Sequence, residues 1–227
     1  MKRLLLGTAI AVLVLGLASQ APADNLTVRL DGTACLDNTA CDSNAALGVV
    51  VFTTSVGTIT VTGVGTGAPA NTPLGLDLGY VVNASLGSSA GTDTIEVSEN
   101  FLSTLGQLSV WTGNIGGTND NTTTTAQAWA DAGNTLFAHT TSLCGPLSSG
   151  ASNFGASCTS GSFNDNSFSL SELVTILRGD GHATASGDFG LTEVPEPGAL
   201  LLVGSALAGI GLASVGSLRR RFRRTTA

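Results

Sequence analysis

One short segment has the spacing of a catalytic serine loop. Gly87-Ser88-Ser89-Ala90-Gly91 matches G-x-S-x-G, the pattern in which a tight strand-to-helix turn exposes a nucleophilic serine, and His182 follows in an order that a catalytic triad would allow. Residues 92–97 alternate as a strand and do not open a helix. We therefore interpret the segment as a turn and expect no enzymatic activity, with a hydrolase retained as an alternative.

A second glycine-rich segment, residues 63–68, formally matches the G-x-G-x-x-A pattern of dinucleotide-binding turns. Such a site needs a helix whose N-terminal amides hold the pyrophosphate. Pro69 and Pro73 follow instead, and no helical pattern accompanies them. The segment is therefore predicted to be a loop.

Histidines and tryptophans are few, so each is a candidate for a binding site. His139 and His182 are the only two histidines, and a metal site would need them to converge with a carboxylate. We expect instead that they are single polar side chains on strand faces. Trp111 and Trp129 have the flat apolar rings that stack on sugars, although packing in the core is the preferred interpretation.

Three groups of Asp and Asn side chains have the oxygen ligands that calcium prefers. None has the spacing of an EF-hand loop, and turns rich in these residues explain them without a metal. We expect no cofactor and no metal site, while structural calcium stays an alternative. The groups are Asp31, Asp37, Asn38 and Asp42; Asn119, Asp120, Asn121 and Asp131; and Asn164, Asp165 and Asn166.

The four cysteines form two local pairs in the sequence. Cys35 and Cys41 are close together, as are Cys144 and Cys158. Neither pair has C-x-x-C spacing and no histidine is adjacent, which disfavours a zinc site. The even number favours disulfides, and the simplest pairing is Cys35–Cys41 and Cys144–Cys158.

These residues must be positioned by strands. Residues 24–193 are rich in Gly, Thr, Ser and Asn, a composition that disfavours helices. Apolar and polar residues alternate at 26–30, 58–62, 94–97 and 107–110, and further strands are predicted at 48–54, 74–82, 135–140, 168–177 and 183–191. Polar stretches at 113–125 and 147–166 separate them. About nine short strands predict an all-β fold, an antiparallel β-sandwich.

Two segments carry a competing helical signal. Residues 169–172 resemble a capping box, with apolar residues following at helical spacing, but the β-branched run 174–176 favours a strand. Residues 125–132 would form one or two helical turns at most. The aromatic candidates for the core are Phe52, Tyr80, Phe101, Trp111, Trp129, Phe137, Phe154, Phe163, Phe168 and Phe189.

The charge is distributed unevenly along the chain. Of the nine Lys and Arg, only Arg29 and Arg178 fall within 24–193, which contains all but one of the 16 acidic residues and so has a net charge near −13. Such a domain does not bind nucleic acid or an anionic membrane surface through charge. The acidity is typical of a soluble surface protein.

Residues 1–23 have the features of a secretory signal peptide. Lys2 and Arg3 precede an apolar run at 4–18, and Ala21-Pro22-Ala23 offers the small-x-small pattern that signal peptidase recognises. Cleavage is predicted after Ala23. The segment is therefore predicted to be an N-terminal signal helix and not part of the fold.

The C-terminal residues have the features of a membrane-associated signal. Val194-Pro195-Glu196-Pro197 precedes the uncharged stretch 198–218, which as a helix at ~1.5 Å per residue is about 30 Å long and could cross a bilayer. Arginines that flank such a span remain on the cytoplasmic side, so 24–197 is predicted to lie outside. The basic residues are Arg219, Arg220, Arg221, Arg223 and Arg224.

This arrangement of Val-Pro-Glu-Pro, transmembrane stretch 198–218 and basic tail 219–224 resembles the PEP-CTERM sorting signal. The resemblance covers residues 194–227 and implies processing by an exosortase, a transpeptidase-like membrane enzyme of Gram-negative bacteria. Residues 168–177 and the turn after them also look like the closing strands of the β-sandwich ectodomains in this family. A permanent, uncleaved anchor is the alternative.

The resemblance also implies an association with exopolysaccharide and biofilm. We therefore expect an exported protein of the cell envelope or extracellular matrix, structural or adhesive in role, which passes through the inner membrane with 24–193 in the periplasm. Its expected partners are signal peptidase, the exosortase, the membrane and an exopolysaccharide. A carbohydrate-binding module at the cell surface is the first alternative, and an exported hydrolase the second.

Overall fold

A computed structural model describes residues 24–67, 75–102, 108–164 and 167–194 of the chain. Within these ranges, no helix has the length and apolar character needed to cross a bilayer. The predicted signal helix at 1–23 and the predicted transmembrane helix at 198–218 lie outside the described residues.

The described part of the chain consists of strands joined by turns. In chain order the strands are β1 (Asp24–Leu30), β2 (Thr33–Leu36), β3 (Val49–Val56), β4 (Ile59–Thr66), β5 (Gly75–Ala84), β6 (Gly91–Leu102), β7 (Leu108–Asp120), β8 (Thr122–Asp131), β9 (Thr141–Ser149), β10 (Asn153–Thr159), β11 (Phe163–Asn164), β12 (Ser167–Arg178) and β13 (Ala183–Val194).

The strands form two antiparallel sheets that pack against each other. The first sheet has the order β2-β1-β6-β12-β8-β9, and the second has the order β10-β7-β13-β5-β4-β3 with β11 also pairing to β7. Contacts of β1 with β4 and of β12 with β13 join the two layers. The predicted antiparallel sandwich is confirmed.

The core follows from side chains that alternate across each strand. On β1, for example, Leu26, Val28 and Leu30 point between the sheets and are fully buried. Burial of these apolar faces is the main stabilising contribution to such a fold. The largest wholly buried apolar side chains are Trp111, Phe101, Phe189, Leu26, Leu30, Leu76, Leu78, Ile95, Leu170, Ile176 and Leu191.

Glycines on the inner face of β4 let the two sheets approach closely. A methyl group at Gly65 would lie 2.6 Å from Cγ2 of Val28 and 2.7 Å from Cγ2 of Val97. Gly63 has a similar environment, because a methyl group there would lie 2.9 Å from Cγ1 of Val28. Residues 63–66 of the glycine-rich segment that formally resembles a nucleotide loop therefore belong to a strand whose glycines allow close packing, and the prediction of a loop is wrong for them.

Several other sequence-based assignments are wrong. Residues 135–140 were expected to be a strand and instead belong to the connection between β8 and β9. The short helix considered at 125–132 is wrong, because this segment falls largely in β8, whereas the preferred strand at 168–177 is confirmed as part of β12. The polar stretches 113–125 and 147–166 contain most of β7 and all of β10. Pairing in an extended sheet overrides the weak local preference of such polar residues.

Both predicted disulfides are present. Cys35–Cys41 closes a short loop after β2, with 5.8 Å between the Cα atoms. Cys144 on β9 bonds to Cys158 on β10, and this disulfide joins the first sheet to the second. No described cysteine is free. Two disulfides indicate an oxidising, exported environment.

Candidate functional site

The outer face of the first sheet carries rows of side chains that cross its strands. Because paired residues lie side by side, the register places Trp129, Ser171 and Ser98 in one row, on β8, β12 and β6. The next row contains Gln127 and Leu173. This second row continues through Glu96 on β6 to Arg29 on β1. A third row contains Thr125, Thr175 and Thr94.

Residues 132–140, here called the crossing loop, run over this face between β8 and β9. The Phe137 amide donates to Oγ of Ser98 at 3.0 Å, and Oγ of Ser169 donates to the Thr135 carbonyl at 2.6 Å. Ser98 and Ser169 are fully buried although they point away from the core. The loop thus forms a step on one half of the sheet face and leaves the other half open.

Asp131, the last residue of β8, fixes the crossing loop at its base. Its carboxylate accepts hydrogen bonds from the Thr135 amide and the Thr140 hydroxyl, both at 2.9 Å. These hydrogen bonds, chiefly the one from Thr135, lower the pKa of Asp131 below its usual value. Because they stabilise the carboxylate, the loop is held most firmly when Asp131 is ionised.

His139, near the end of the crossing loop, stacks on Trp129. The ring centroids are 3.8 Å apart and the planes are inclined by 14°. Trp129 is half-buried, so part of the indole stays available at the step. The preferred interpretation that Trp129 packs in the core is wrong, whereas Trp111 is fully buried there.

Glu96 links the histidine to the second aromatic residue of the site. Its buried carboxylate contacts Nε2 of His139 at 2.7 Å and accepts a hydrogen bond from the Arg29 guanidinium. That guanidinium in turn lies over the Phe137 ring, 4.2 Å from the centroid, in a cation–π contact. These contacts connect five side chains into one network that sets the orientation of the step: Trp129, His139, Glu96, Arg29 and Phe137.

The open half of the face, which we call the ledge, is an amphipathic floor beside the step. Leu173 is half-buried and Leu177 is 57% exposed, while hydroxyl and amide groups surround them. Apolar patches beside such groups suit ligands with an apolar face and many hydroxyls. The floor consists of Gln127, Leu173, Thr125, Thr175, Thr94, Thr123, Leu177 and Thr92, with Trp129 and His139 at the step.

The serine motif lacks the geometry of a nucleophile elbow. Gly87-Ser88-Ser89-Ala90-Gly91 leads directly into strand β6. Among the described residues, no hydrogen bond joins Ser89 to either histidine; the Ser89 carbonyl accepts one from Arg178 at 3.1 Å. His182 lies in the turn before β13, with Nδ1 3.6 Å from Oδ2 of Asp120. The expectation that both histidines lie on strand faces is wrong.

The acidic groups singled out in the sequence mostly bind backbone amides. Asp37 accepts a hydrogen bond from the Gly48 amide at 2.8 Å and Asp42 accepts one from the Val51 amide at 2.9 Å. Asp31 accepts one from the Thr94 amide at 2.7 Å. In the described parts of the chain, no three His, Cys, Asp or Glu side chains are grouped to hold a metal ion. Asp165 and Asn166 lie outside those parts.

The raised pKa values of two carboxyl groups, those of Glu172 and Asp77, were not predicted from the sequence. Glu172 points between the sheets and is fully buried, and burial raises its pKa well above the usual value, with added repulsion from Asp77 and Asp188. On β5, partial burial and the neighbouring Asp188 raise the pKa of Asp77 to about 6. Both residues lie in predicted strands, but the local sequence does not show which charged groups of other strands face them.

The sorting motif lies at the boundary of the described chain. Val194 is the last residue of β13 and pairs with Val110 of β7. The rest of the motif, Pro195, Glu196 and Pro197, lies outside the described residues. The same holds for the basic residues Arg219, Arg220, Arg221, Arg223 and Arg224.

No family model matches the chain, and no curated protein matches it either. Among solved structures, the fold is similar to TmCBM61 in complex with β-1,4-galactotriose, with 12% identity, a TM-score of 0.34, and coverage of 65% of this chain and 90% of that one.

Two larger proteins also show partial similarity. The enzymatically active domain of tailspike protein 4 from bacteriophage CBA120 has 10% identity and a TM-score of 0.35 over 70% of this chain and 21% of the tailspike chain. The isomalto-dextranase of Arthrobacter globiformis T6, complexed with panose, has 15% identity and a TM-score of 0.18 over 78% and 30%. This chain spans less than a third of either.

Proposed function

We propose that the sandwich is a carbohydrate-binding module that binds a polysaccharide on the ledge of its first sheet. The observation that supports this most directly is the position of Trp129. The half-buried indole lies on an outer sheet face, is stacked against His139, and borders a floor of threonines, Gln127 and Leu173.

The network behind the step supports the proposal because it orders the site before a ligand arrives. Glu96 holds His139, and the crossing loop is hydrogen-bonded to Ser98 and Ser169. Side chains that are already held in place lose little conformational entropy on binding. A stacked tryptophan whose ring plane is fixed in this way is suited to meet the apolar face of a sugar.

Substitution of Trp129 tests the proposal. The purified full chain would be screened by affinity electrophoresis and calorimetry against 1,4-linked galactan, xyloglucan, alginate and polygalacturonate. We expect Trp129→Ala to weaken binding to the recognised polymer by at least about tenfold, an energy of roughly 1.4 kcal/mol or more, within the range of one stacked aromatic contact.

The buried tryptophan provides a matched control. Trp111→Phe removes indole from the core and not from the ledge, so it should lower the melting temperature and leave affinity unchanged. If a folded Trp129→Ala protein bound the polymer as the wild type does, or if no polymer bound, the proposed function would be wrong.

We also propose that the protein is exported and sorted by an exosortase, with a structural or adhesive role in the envelope or matrix that involves exopolysaccharide. The patterns at 1–23 and 194–227 support this, and two disulfides suit an exported protein. Mass spectrometry of the protein from its native envelope would test the processing step. We expect a chain shortened at both ends; an intact C-terminus at Ala227 would contradict it.

A further inference from the structure

We infer that the ledge binds a neutral polysaccharide and not an acidic one. This inference rests on the proposed function and specifies the ligand class of the same site. It follows from the pairing of the cationic side chains and from the uncharged side chains on the floor of the ledge.

Both arginines of the domain are already paired with carboxylates. Residues 24–193 contain Arg29, Arg178 and no lysine. Arg178 is buried and paired with Asp93, far from the step along β12. Arg29 is paired with Glu96 at the edge of the ledge. An incoming uronate would therefore have to compete with a protein carboxylate for Arg29, the one guanidinium that lies beside the ledge among the described residues.

Recognition of carboxylated sugars ordinarily uses a free arginine fork, which binds both oxygens of the carboxylate. The Arg29 fork is turned toward Glu96 and the Phe137 ring. The domain also has a net charge near −13, and a polyanion is repelled by such a field at low ionic strength. A neutral glycan meets neither obstacle.

The floor of the ledge offers contacts that a neutral sugar can use. Leu173 and the indole of Trp129 provide apolar surface for the C–H face of a ring. Gln127, Thr125 and Thr175 present amide and hydroxyl groups beside them. Hydrogen bonds between uncharged groups of this kind depend little on salt.

Matched polymers test the inference. The neutral polysaccharide that the full chain binds best would be compared with the same polymer oxidised at C6 to the uronate, by calorimetry at low and high NaCl. We expect the neutral form to bind at least about tenfold more tightly, with an affinity that changes less than about twofold with salt.

The outcomes separate the two proposals. Preference for the oxidised polymer, or recognition of only alginate or polygalacturonate with binding that falls at high salt, would overturn the neutral class and leave the carbohydrate-binding function standing. Absence of binding to all of these polymers would overturn the proposed function itself.

A variant of Glu96 tests the charge argument separately. Glu96→Gln removes the carboxylate that holds Arg29, so the guanidinium becomes available to a uronate. In a variant shown by circular dichroism to be folded, we expect the affinity for the oxidised polymer to rise at least about threefold and to become salt-sensitive. An unchanged affinity would contradict the role of Arg29 pairing in ligand selection.

Discussion

The imidazole of His139 lies nearly parallel to the indole of Trp129, with ring centroids 3.8 Å apart. The two residues are joined by a chain segment that leaves β8, crosses the sheet face and returns at the start of β9. One side of the indole is thereby covered by a residue of the crossing loop. The orientation of the candidate sugar platform therefore depends on hydrogen bonds made elsewhere in that loop.

The anchor between Ser169 and the loop should be needed for binding as well as for stability. Ser169→Ala removes the hydrogen bond from its buried hydroxyl to the Thr135 carbonyl, and we expect a loss of about 1 kcal/mol in unfolding free energy. Hydrogen exchange of the loop amides should accelerate, and glycan affinity should fall. Ser157→Ala, on the exposed surface of β10, is the control. Equal protection of the loop in both variants would contradict this role.

The buried acid Glu172 should make unfolding free energy depend on pH. Burial raises the pKa of Glu172 well above its usual value in the folded protein. The pKa of Asp77 is also raised by burial, to about 6. The native state therefore binds more protons than the unfolded chain, so the stabilisation is complete below the unfolded pKa and is lost as pH rises through the folded one. Glu172 is also a diagonal neighbour of Glu99 on the inner face.

Glu172→Gln tests this because glutamine resembles the protonated acid. Urea unfolding between about pH 4 and pH 8 should show the variant gaining stability over the wild type as pH rises, with the two converging at low pH. Asp120→Asn, at an exposed carboxylate, should follow the wild-type curve. A constant difference between Glu172→Gln and the wild type across the range would show that the carboxyl group does not titrate as expected.

Close packing at β4 predicts a position-specific effect of added volume. Gly65→Ala would press a methyl group against Val28 and Val97, and overpacking of this kind costs about 1–3 kcal/mol. Gly116→Ala is a matched control on β7, where the nearest atom, the Phe154 carbonyl oxygen, would be 3.7 Å away. Thermal unfolding should show a lower melting temperature for the first variant only. Similar melting temperatures for the two variants would mean that the sheets can move apart at Gly65 without loss of stability.

Asp42 should protect an edge of the second sheet. Its carboxylate accepts hydrogen bonds from the amides of Val51 on edge strand β3 and of Asn44, both at 2.9 Å. The sequence of β3, VVVFTTSV, contains no charge and no proline to discourage pairing with another chain.

Asp42→Ala should therefore lower stability by about 1–2 kcal/mol and increase self-association measured by sedimentation velocity. Asp42→Asn keeps one oxygen acceptor and should remain close to the wild type. Self-association of Asp42→Ala no greater than that of the wild type would refute protection of the edge.

Much of the fold could be predicted from local patterns. The alternation of Ile95 and Val97 with polar neighbours places β6 because a strand turns successive side chains to opposite faces. The disulfides could be predicted because each pair is close in sequence. Most of β7 and β8 could not be predicted, because alternation indicated only the first residues of β7. The runs of Thr, Gly and Asn that follow are extended because neighbouring strands pair with them.

The candidate site could not be predicted from local sequence patterns. Trp129 and His139 could be named as candidates from the sequence. The local sequence does not show that Trp129 lies outside the core, or that His139 stacks on its indole. Leu173, Gln127 and Glu96 join the site through strand register. Register depends on which strands become neighbours, and that order is a property of the whole sandwich.

The sequence by itself determined the composition of this protein: an acidic, glycine- and threonine-rich chain with strand periodicity, two local cysteine pairs and only two arginines between residues 24 and 193. Only the tertiary structure decided that Trp111 is buried while Trp129 stands on an outer face, and that Arg29 is paired with Glu96. The physical reason is that alternation assigns side chains to two faces, whereas the packing of the sheets decides which face is dry and which charges meet.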